Sequence, residues 1–245
     1  MTTAIIVQAR MTSTRLPGKV LKPVLGQPLL SYQIERLKRV TLADVIAIAT
    51  TTNAADDPIV ELSESLAVGC FRGAEHDVLS RYFGAAQAYA ADVVVRVTSD
   101  CPLIDPQIMD EVIGYYLSHR DRYDYISNSI QRTYPRGLDT EVFSTGTLEQ
   151  AHREATAPPE REHVTPFIYN HPERYAIGQV TSPQDLSHHR WTVDTPEDFE
   201  LIRRMLETLY PQVPNFTLQD CLDVIAQQPA WPAINSHIEQ KAYGQ

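Results

Sequence analysis

Apolar runs rich in β-branched residues recur at Ala4 to Val7, Asp44 to Thr50, Val68 to Phe71, Asp92 to Thr98 and Tyr123 to Ser127. Between them lie segments whose apolar residues fall at helical spacing, so the chain alternates between strand and helix. A strand covered on both faces reads as an unbroken apolar run, and parallel neighbours need a crossover between them. The alternation therefore predicts βαβ units around a mainly parallel sheet, an α/β fold. Helix starts are legible at Asp57-Pro58, Asp105-Pro106 and Thr195-Pro196, where a capping side chain precedes a proline suited to the first helical position. Asp198, three residues after Thr195, makes a variant of the capping box. Asp77 is a further cap, ahead of a helix with Val78, Leu79, Tyr82, Phe83 and Ala86 on its inner face. Beyond Ser129 the alternation lapses. A short strand at Leu138 to Phe143, helices near Thr147 to Ala155 and after Pro159, and a strand near Arg190 to Val193 are expected there. A chain of 245 residues with 43% hydrophobic content can bury one such core. We read residues 1–128 as the core and 129–245 as an appended acceptor-side subregion, with weak periodicity at the very end.

Open α/β sheets bind ligands outside the carboxyl ends of their strands. Directly after the first run, the segment QARMTSTRLPGKVLKP from Gln8 to Pro23 gathers Arg10, Arg15 and Lys19 in a chain of net charge −10. Two familiar phosphate loops do not fit. A Walker A alignment on Gly18-Lys19 puts Ser13 where the first glycine belongs and Val20 where the metal-binding hydroxyl belongs, and no GxGxxG is present. What remains is a set of hydroxyls at Thr12, Ser13 and Thr14, a rigid Pro17-Gly18 turn, two guanidiniums and an ammonium. That inventory suits a triphosphate. Spacing alone does not separate it from a loop of solvated charges.

The cysteines Cys70, Cys101 and Cys221 are widely separated, show no CxxC spacing and leave one unpaired in any disulfide scheme, which points to a reducing cytoplasm. No basic segment precedes a long apolar core at the N terminus, and no apolar run approaches the roughly 20 residues that cross a bilayer. A soluble protein without a membrane partner is expected. The acidic balance also argues against general nucleic-acid binding, which needs a broad basic face.

Further carboxylates sit at strand ends. Asp100 follows the Asp92 to Val97 run, and Asp194 follows Trp191-Thr192-Val193 and precedes a helix. Either can hold Mg²⁺, which takes oxygen ligands and completes its shell with phosphate and water; either can equally be a turn or cap residue. Arg72 and Gly73 end another short strand. In Tyr134 to Val142, strand alternation would put Asp139 and Glu141 on one face. The adjacent His188 and His189 would point to opposite faces of a strand, which argues against a shared metal.

The run IIVQARMTSTRLPGKVLKPVLGQPLL resembles the opening of the CTP-dependent sugar cytidylyltransferases, which include the enzymes that activate sialic acid and 3-deoxy-manno-octulosonate. It resembles most the spore coat polysaccharide biosynthesis protein F branch, from which Thr12 departs by standing at a usual glycine. The segment around Asp100 is similar to the family's GDxPL motif, with Ser99 in place of glycine, and TVDTPEDFELI is similar to its late VDTPED motif. FRGAEHDVL resembles its RGxxxDVLxR segment. The resemblance runs in order through most of the chain and implies a Rossmann-like nucleotidyltransferase fold, a three-layer sandwich of GT-A type. It implies that Arg10, Ser13, Arg15 and Lys19 hold the triphosphate of CTP, that Arg72 and Gly73 approach the nucleotide, and that Asp100 and Asp194 bind Mg²⁺. Arg10, Lys19 and Asp100 would carry the chemistry. Arg136, Asp139, Glu141 and His163 would meet a sugar acceptor, and Glu197 and Asp198 are left as first-turn charges favourable to the helix dipole. A homodimer is also implied. The expected reaction is attack of an acceptor oxygen on the α-phosphorus of CTP with loss of pyrophosphate. A glycosyltransferase with a related sheet and a non-catalytic nucleotide-binding module remain as alternatives.

Overall fold

The computed structural model describes residues 1–240. Its strands are β1 (Thr3–Gln8), β2 (Pro23–Val24), β3 (Gln27–Pro28), β4 (Val45–Thr51), β5 (Gly69–Gly73), β6 (Val93–Thr98), β7 (Tyr125–Ser127), β8 (Glu141–Ser144) and β9 (Ile177–Gln179). Its α-helices are α1 (Leu29–Leu37), α2 (Asp57–Ser65), α3 (Val78–Ala88), α4 (Pro106–His119), α5 (Thr145–Glu154), α6 (Pro158–His163), α7 (Pro166–Tyr169), α8 (Pro196–Leu209) and α9 (Leu218–Gln227). Strands β2 and β3 form a separate hairpin, and the others form a seven-stranded sheet in the order β5-β4-β1-β6-β8-β7-β9. β5, β4, β1 and β6 run parallel, and β8 runs against both its neighbours. The second half of the chain contributes β8, which lies between β6 and β7, and the edge strand β9.

Alternation along the central strands builds the two interfaces. On β1, Ile5 and Val7 join a core with α1, α4, α8 and α9, while Ala4 and Ile6 join the opposite core with α3, α5 and α7. The sheet is therefore covered on both faces, as the unbroken apolar runs require. Asp77, Asp105 and Thr195 cap α3, α4 and α8 as expected, each accepting a backbone N–H of the first turn. At Asp57 the expectation is shifted by one residue. Asp57 opens α2, and the preceding Asp56 turns its side chain away from the helix.

Two expected strands differ. Leu138–Thr140 lies outside β8, because the side chain of Asn128 takes the hydrogen bonds a strand partner would take: it donates to Leu138 O at 2.8 Å and accepts from Thr140 N at 2.9 Å. Residues 190–193 make only a single bridge, Arg136 to Arg190. Their backbone is fastened instead to two loops, through Trp191 N to Arg136 O at 2.7 Å and Val193 N to Asp100 O at 2.8 Å. That second bond brings Asp194 beside Asp100.

Gly137 makes this fastening possible. Its φ of +107° lies in the region glycine alone adopts readily, and a Cβ there would fall 2.5 Å from Trp191 O. Gly137→Ala is expected to cost more than about 2 kcal/mol, read as a lowered denaturant midpoint, because strain and a backbone collision add. An unchanged midpoint would show that the Arg136–Trp191 contact is loose. The chain end, where periodicity is weak, packs onto the Arg190 segment as far as residue 240: Asn235 is buried and donates to Arg190 O and Asp198 at 2.9 Å, and Gln240 accepts from Arg190 at 2.7 Å. Residues 241–245 lie outside the described residues.

Candidate active site

Because β1, β4, β5 and β6 are parallel, their carboxyl ends share one edge, and the loops leaving them meet there. The loop after β1 closes on itself: Met11 O accepts from Ser13 N at 3.0 Å and from Gly18 N at 2.9 Å. Gly18, at φ 66°, then starts the 3-10 turn Lys19–Leu21. Outside fastenings come from buried Asp56, which accepts from Met11 N at 2.7 Å and from the Thr51 hydroxyl, and from Glu75, which accepts from Thr12 at 2.9 Å and Asn53 at 2.6 Å. Thus held, Arg10, Ser13, Thr14, Arg15 and Lys19 line a cavity of about 830 Å³ that also takes in Asp100 and Asp194.

Lys19 lies between the two carboxylates. Its ammonium donates to Asp100 Oδ2 at 3.0 Å, Asp194 Oδ1 at 2.9 Å and Val193 O at 2.7 Å. Asp100 Oδ1 accepts from the Thr98 hydroxyl at 2.5 Å. Asp194 Oδ2 is paired with Arg15 at 2.9 Å and Arg190 at 3.0 Å. Burial disfavours the charged form of Asp100, but the Lys19 ammonium and the Thr98 hydrogen bond outweigh it and hold the carboxyl at about 2. Burial likewise opposes the charge on Lys19, and the two carboxylates overcome it, raising its pKa. Asp198 is more than a charge in the first helical turn. It is fully buried, grips Arg190 at 2.8 and 3.0 Å and accepts from Asp194 N at 3.0 Å, so it fixes the loop that presents Asp194.

Of the residues expected to face an acceptor, Arg136, Glu141 and His163 line the cavity, whereas Asp139 is spent on an ion pair with Arg132. Glu141 forms the buried floor. It pairs with Arg96 and accepts from the hydroxyls of Tyr125, at 2.9 Å, and Thr165. Arg96 donates its remaining contact to Gln8 at 3.2 Å. Thr165 is turned toward Glu141 by a γ-turn at Val164, φ 73° and ψ −58°, closed by Thr165 N to His163 O at 2.9 Å. Arg72 and Gly73 do not line the cavity. The Arg72 guanidinium is consumed by Thr51 O and Asn53 O, both at 2.8 Å, and by Asp57 at 2.8 Å, so it shapes the loop after β4. A long side chain at a strand end can turn toward the ligand or toward the next loop, and here it turns to the loop.

Arg96 carried a signal that sequence reasoning passed over: a lone charge within the valines of β6 needs a buried partner. Arg132 and Arg190 carried none. Among the described residues no hydrogen bond or ion pair reaches the guanidinium of Arg10, which leaves it available to a ligand. Arg10→Ala is expected to lower CTP affinity by about tenfold or more and leave cytidine affinity and the melting temperature nearly unchanged. Calorimetry showing equal loss for CTP and cytidine would remove Arg10 from the phosphate site.

Among the described residues no group of three or more His, Cys, Asp and Glu side chains converges as a metal site. The pair Asp100 and Asp194 nevertheless fits Mg²⁺ by its chemistry. Two carboxylates already converge on one cationic centre, and Mg²⁺ commonly takes one or two carboxylates with phosphate and water.

The sequence profile of the cytidylyltransferase family matches residues 4–220. A cytidylyltransferase structure from Leptospira borgpetersenii is 34% identical, covers 99% of this chain and 100% of its own, and superposes with a TM-score of 0.90. The spore coat polysaccharide biosynthesis protein SpsF of Bacillus subtilis is 34% identical over 209 residues, 82% of this chain and 85% of that protein. CMP:2-keto-3-deoxy-manno-octonic acid synthetase, solved in complex with CTP, shares the fold at 16% identity, with a TM-score of 0.63 over 84% of this chain and 99% of that one.

Proposed function

The chain belongs to the cytidylyltransferase family, and on that premise we propose that it moves CMP from CTP to a sugar-acid acceptor, releasing pyrophosphate, in the making of a surface polysaccharide. One observation carries the reading: the cation-rich loop after β1 and the carboxylates Asp100 and Asp194 face one cavity at the carboxyl edge of the parallel strands. In-line nucleotidyl transfer needs positioning and charge neutralisation more than covalent chemistry. Arg10 and Arg15, with the hydroxyls of Ser13 and Thr14, suit the triphosphate, and their charge stabilises pyrophosphate as it departs. Asp100 and Asp194 would hold Mg²⁺, which supplies Lewis-acid polarisation of phosphate when bound. Arg136 and His163 also line the cavity, and their side chains suit an acidic sugar. The buried pair of Arg96 and Glu141 braces the cavity lining beneath. The acceptor oxygen forms its bond to the α-phosphorus as the bridge to the β-phosphate breaks.

The test is incubation with each of the four ribonucleoside triphosphates, Mg²⁺ and a panel of 2-keto sugar acids that includes 3-deoxy-manno-octulosonate. Pyrophosphate should appear in step with a CMP-sugar, and only with CTP. Binding of CTP without turnover on any acceptor would make the chain a nucleotide-binding module. Release of a nucleoside diphosphate from a nucleotide sugar would make it a glycosyltransferase.

A further inference from the structure

An ammonium has three N–H donors, and Lys19 spends its three on Asp100, Asp194 and Val193 O, leaving none for a phosphate. The carboxylates are equally occupied. Asp100 Oδ1 accepts from Thr98 and Oδ2 from Lys19, while Asp194 Oδ1 accepts from Lys19 and Oδ2 pairs with Arg15 and Arg190. The Lys19 side chain is only 12% exposed, so this contact is not a solvated surface pair. The expected role of Lys19 as a standing phosphate contact does not describe this arrangement.

We propose that Lys19 is a resident counter-cation: in the nucleotide-free protein its ammonium fills the point between Asp100 and Asp194 that a divalent metal takes, and it yields that point only when nucleotide and metal enter together. The inference rests on the reading of those two carboxylates as the metal pair. A metal arriving alone would have to evict the ammonium into a cavity already lined by Arg10, Arg15 and Arg136, whose carboxylates besides the metal pair are Glu141, already paired with Arg96, and Glu162 of α6. A metal arriving with CTP brings a polyanion of its own. The triphosphate takes the displaced ammonium, and the two carboxylates exchange one cation for another. Metal binding is therefore conditional on nucleotide. By linkage, nucleotide binding is tightened by metal to the same degree.

The test uses Mn²⁺ as the probe, titrated by calorimetry into the full chain, without nucleotide and with saturating CTP and no acceptor. In the wild type, CTP should tighten Mn²⁺ by about tenfold or more. Lys19→Met keeps the length of the stem and removes the charge. It should bind Mn²⁺ without CTP about tenfold or more tightly than the wild type, and most of that gain should vanish when Asp100→Asn is added. If Lys19→Met does not fold, Lys19→Gln and the wild-type coupling decide the matter. Equal Mn²⁺ affinity in Lys19→Met and wild type, or tight wild-type binding that CTP does not improve, would overturn the proposal. Pyrophosphate release from CTP in a protein that lacks the coupling would sink this inference and leave the proposed function standing. Coupling without pyrophosphate release would do the reverse.

Discussion

Replacing Asp100 by asparagine is expected to lower the rate of pyrophosphate release by about a thousandfold or more, because several kcal/mol of charge stabilisation depend on this carboxylate. The fold should survive. Lys19 keeps Asp194 and Val193 O as acceptors, and the asparagine oxygen can take the place of Oδ2. A second readout separates the charge from the shape. The carboxyl is held at about 2 in the folded protein, against an ordinary value near 4, with burial opposing and Lys19 favouring the ionised form. A depressed carboxylate adds stability that is fully present above its unfolded value and lost as pH falls through its folded one. The wild type should therefore lose this contribution between about pH 4 and pH 2, and the variant should lack that slope. Near wild-type turnover at saturating Mg²⁺ would mean that Asp100 is not part of the chemistry. Reduced activity in proportion to a reduced folded fraction would mean that its role is structural.

The parts of the molecule that follow from local pattern were legible. The strands β1, β4 and β6 lie within one residue of the expected ends, because a buried parallel strand writes itself as a continuous apolar run, and the half-buried edge strand β5 lies within two. The same logic placed the loop from Arg10 to Lys19 at the ligand-binding edge. Where side chains spend their donors was not legible. The partners of Lys19 lie 81 and 175 positions along the chain, and no local spacing reports whether an ammonium is free or saturated. Arg72 shows the same limit, since its partners Thr51, Asn53 and Asp57 belong to the preceding strand–helix loop. The segment before Asp194 failed for a different reason. Trp191 and Val193 are buried, as strand residues would be, but their backbone hydrogen bonds go to Arg136 and Asp100 rather than to a ladder. Burial and strand pairing coincide often enough that an alternating pattern stands for both, and here only one holds.

The second large effect is expected at Glu141, where two roles can be told apart. Glu141 lines the cavity, but its carboxylate is engaged within the chain by Arg96, Tyr125 and Thr165, and the ion-paired side chains are 11% and 10% exposed. Burial works against the charge on Arg96, and Glu141 reverses this, raising the Arg96 pKa. Glu141→Gln keeps the volume and two hydrogen-bonding positions, yet it leaves a buried guanidinium without its counter-charge. Breaking a buried pair from one side costs about 3 kcal/mol or more, and because the pair is shielded from solvent the loss should vary little with salt. The denaturant midpoint should fall accordingly. Adding Arg96→Met should recover most of that loss, since removing both charges also removes the unpaired one. Activity should not recover with it, because the cavity floor would have lost the contacts that fix Gln8, Tyr125 and Thr165. A direct acceptor contact predicts the opposite pattern: Glu141→Gln with an unchanged midpoint and a raised KM for the acceptor alone. That outcome would assign the carboxylate to substrate recognition rather than to the frame that holds the site.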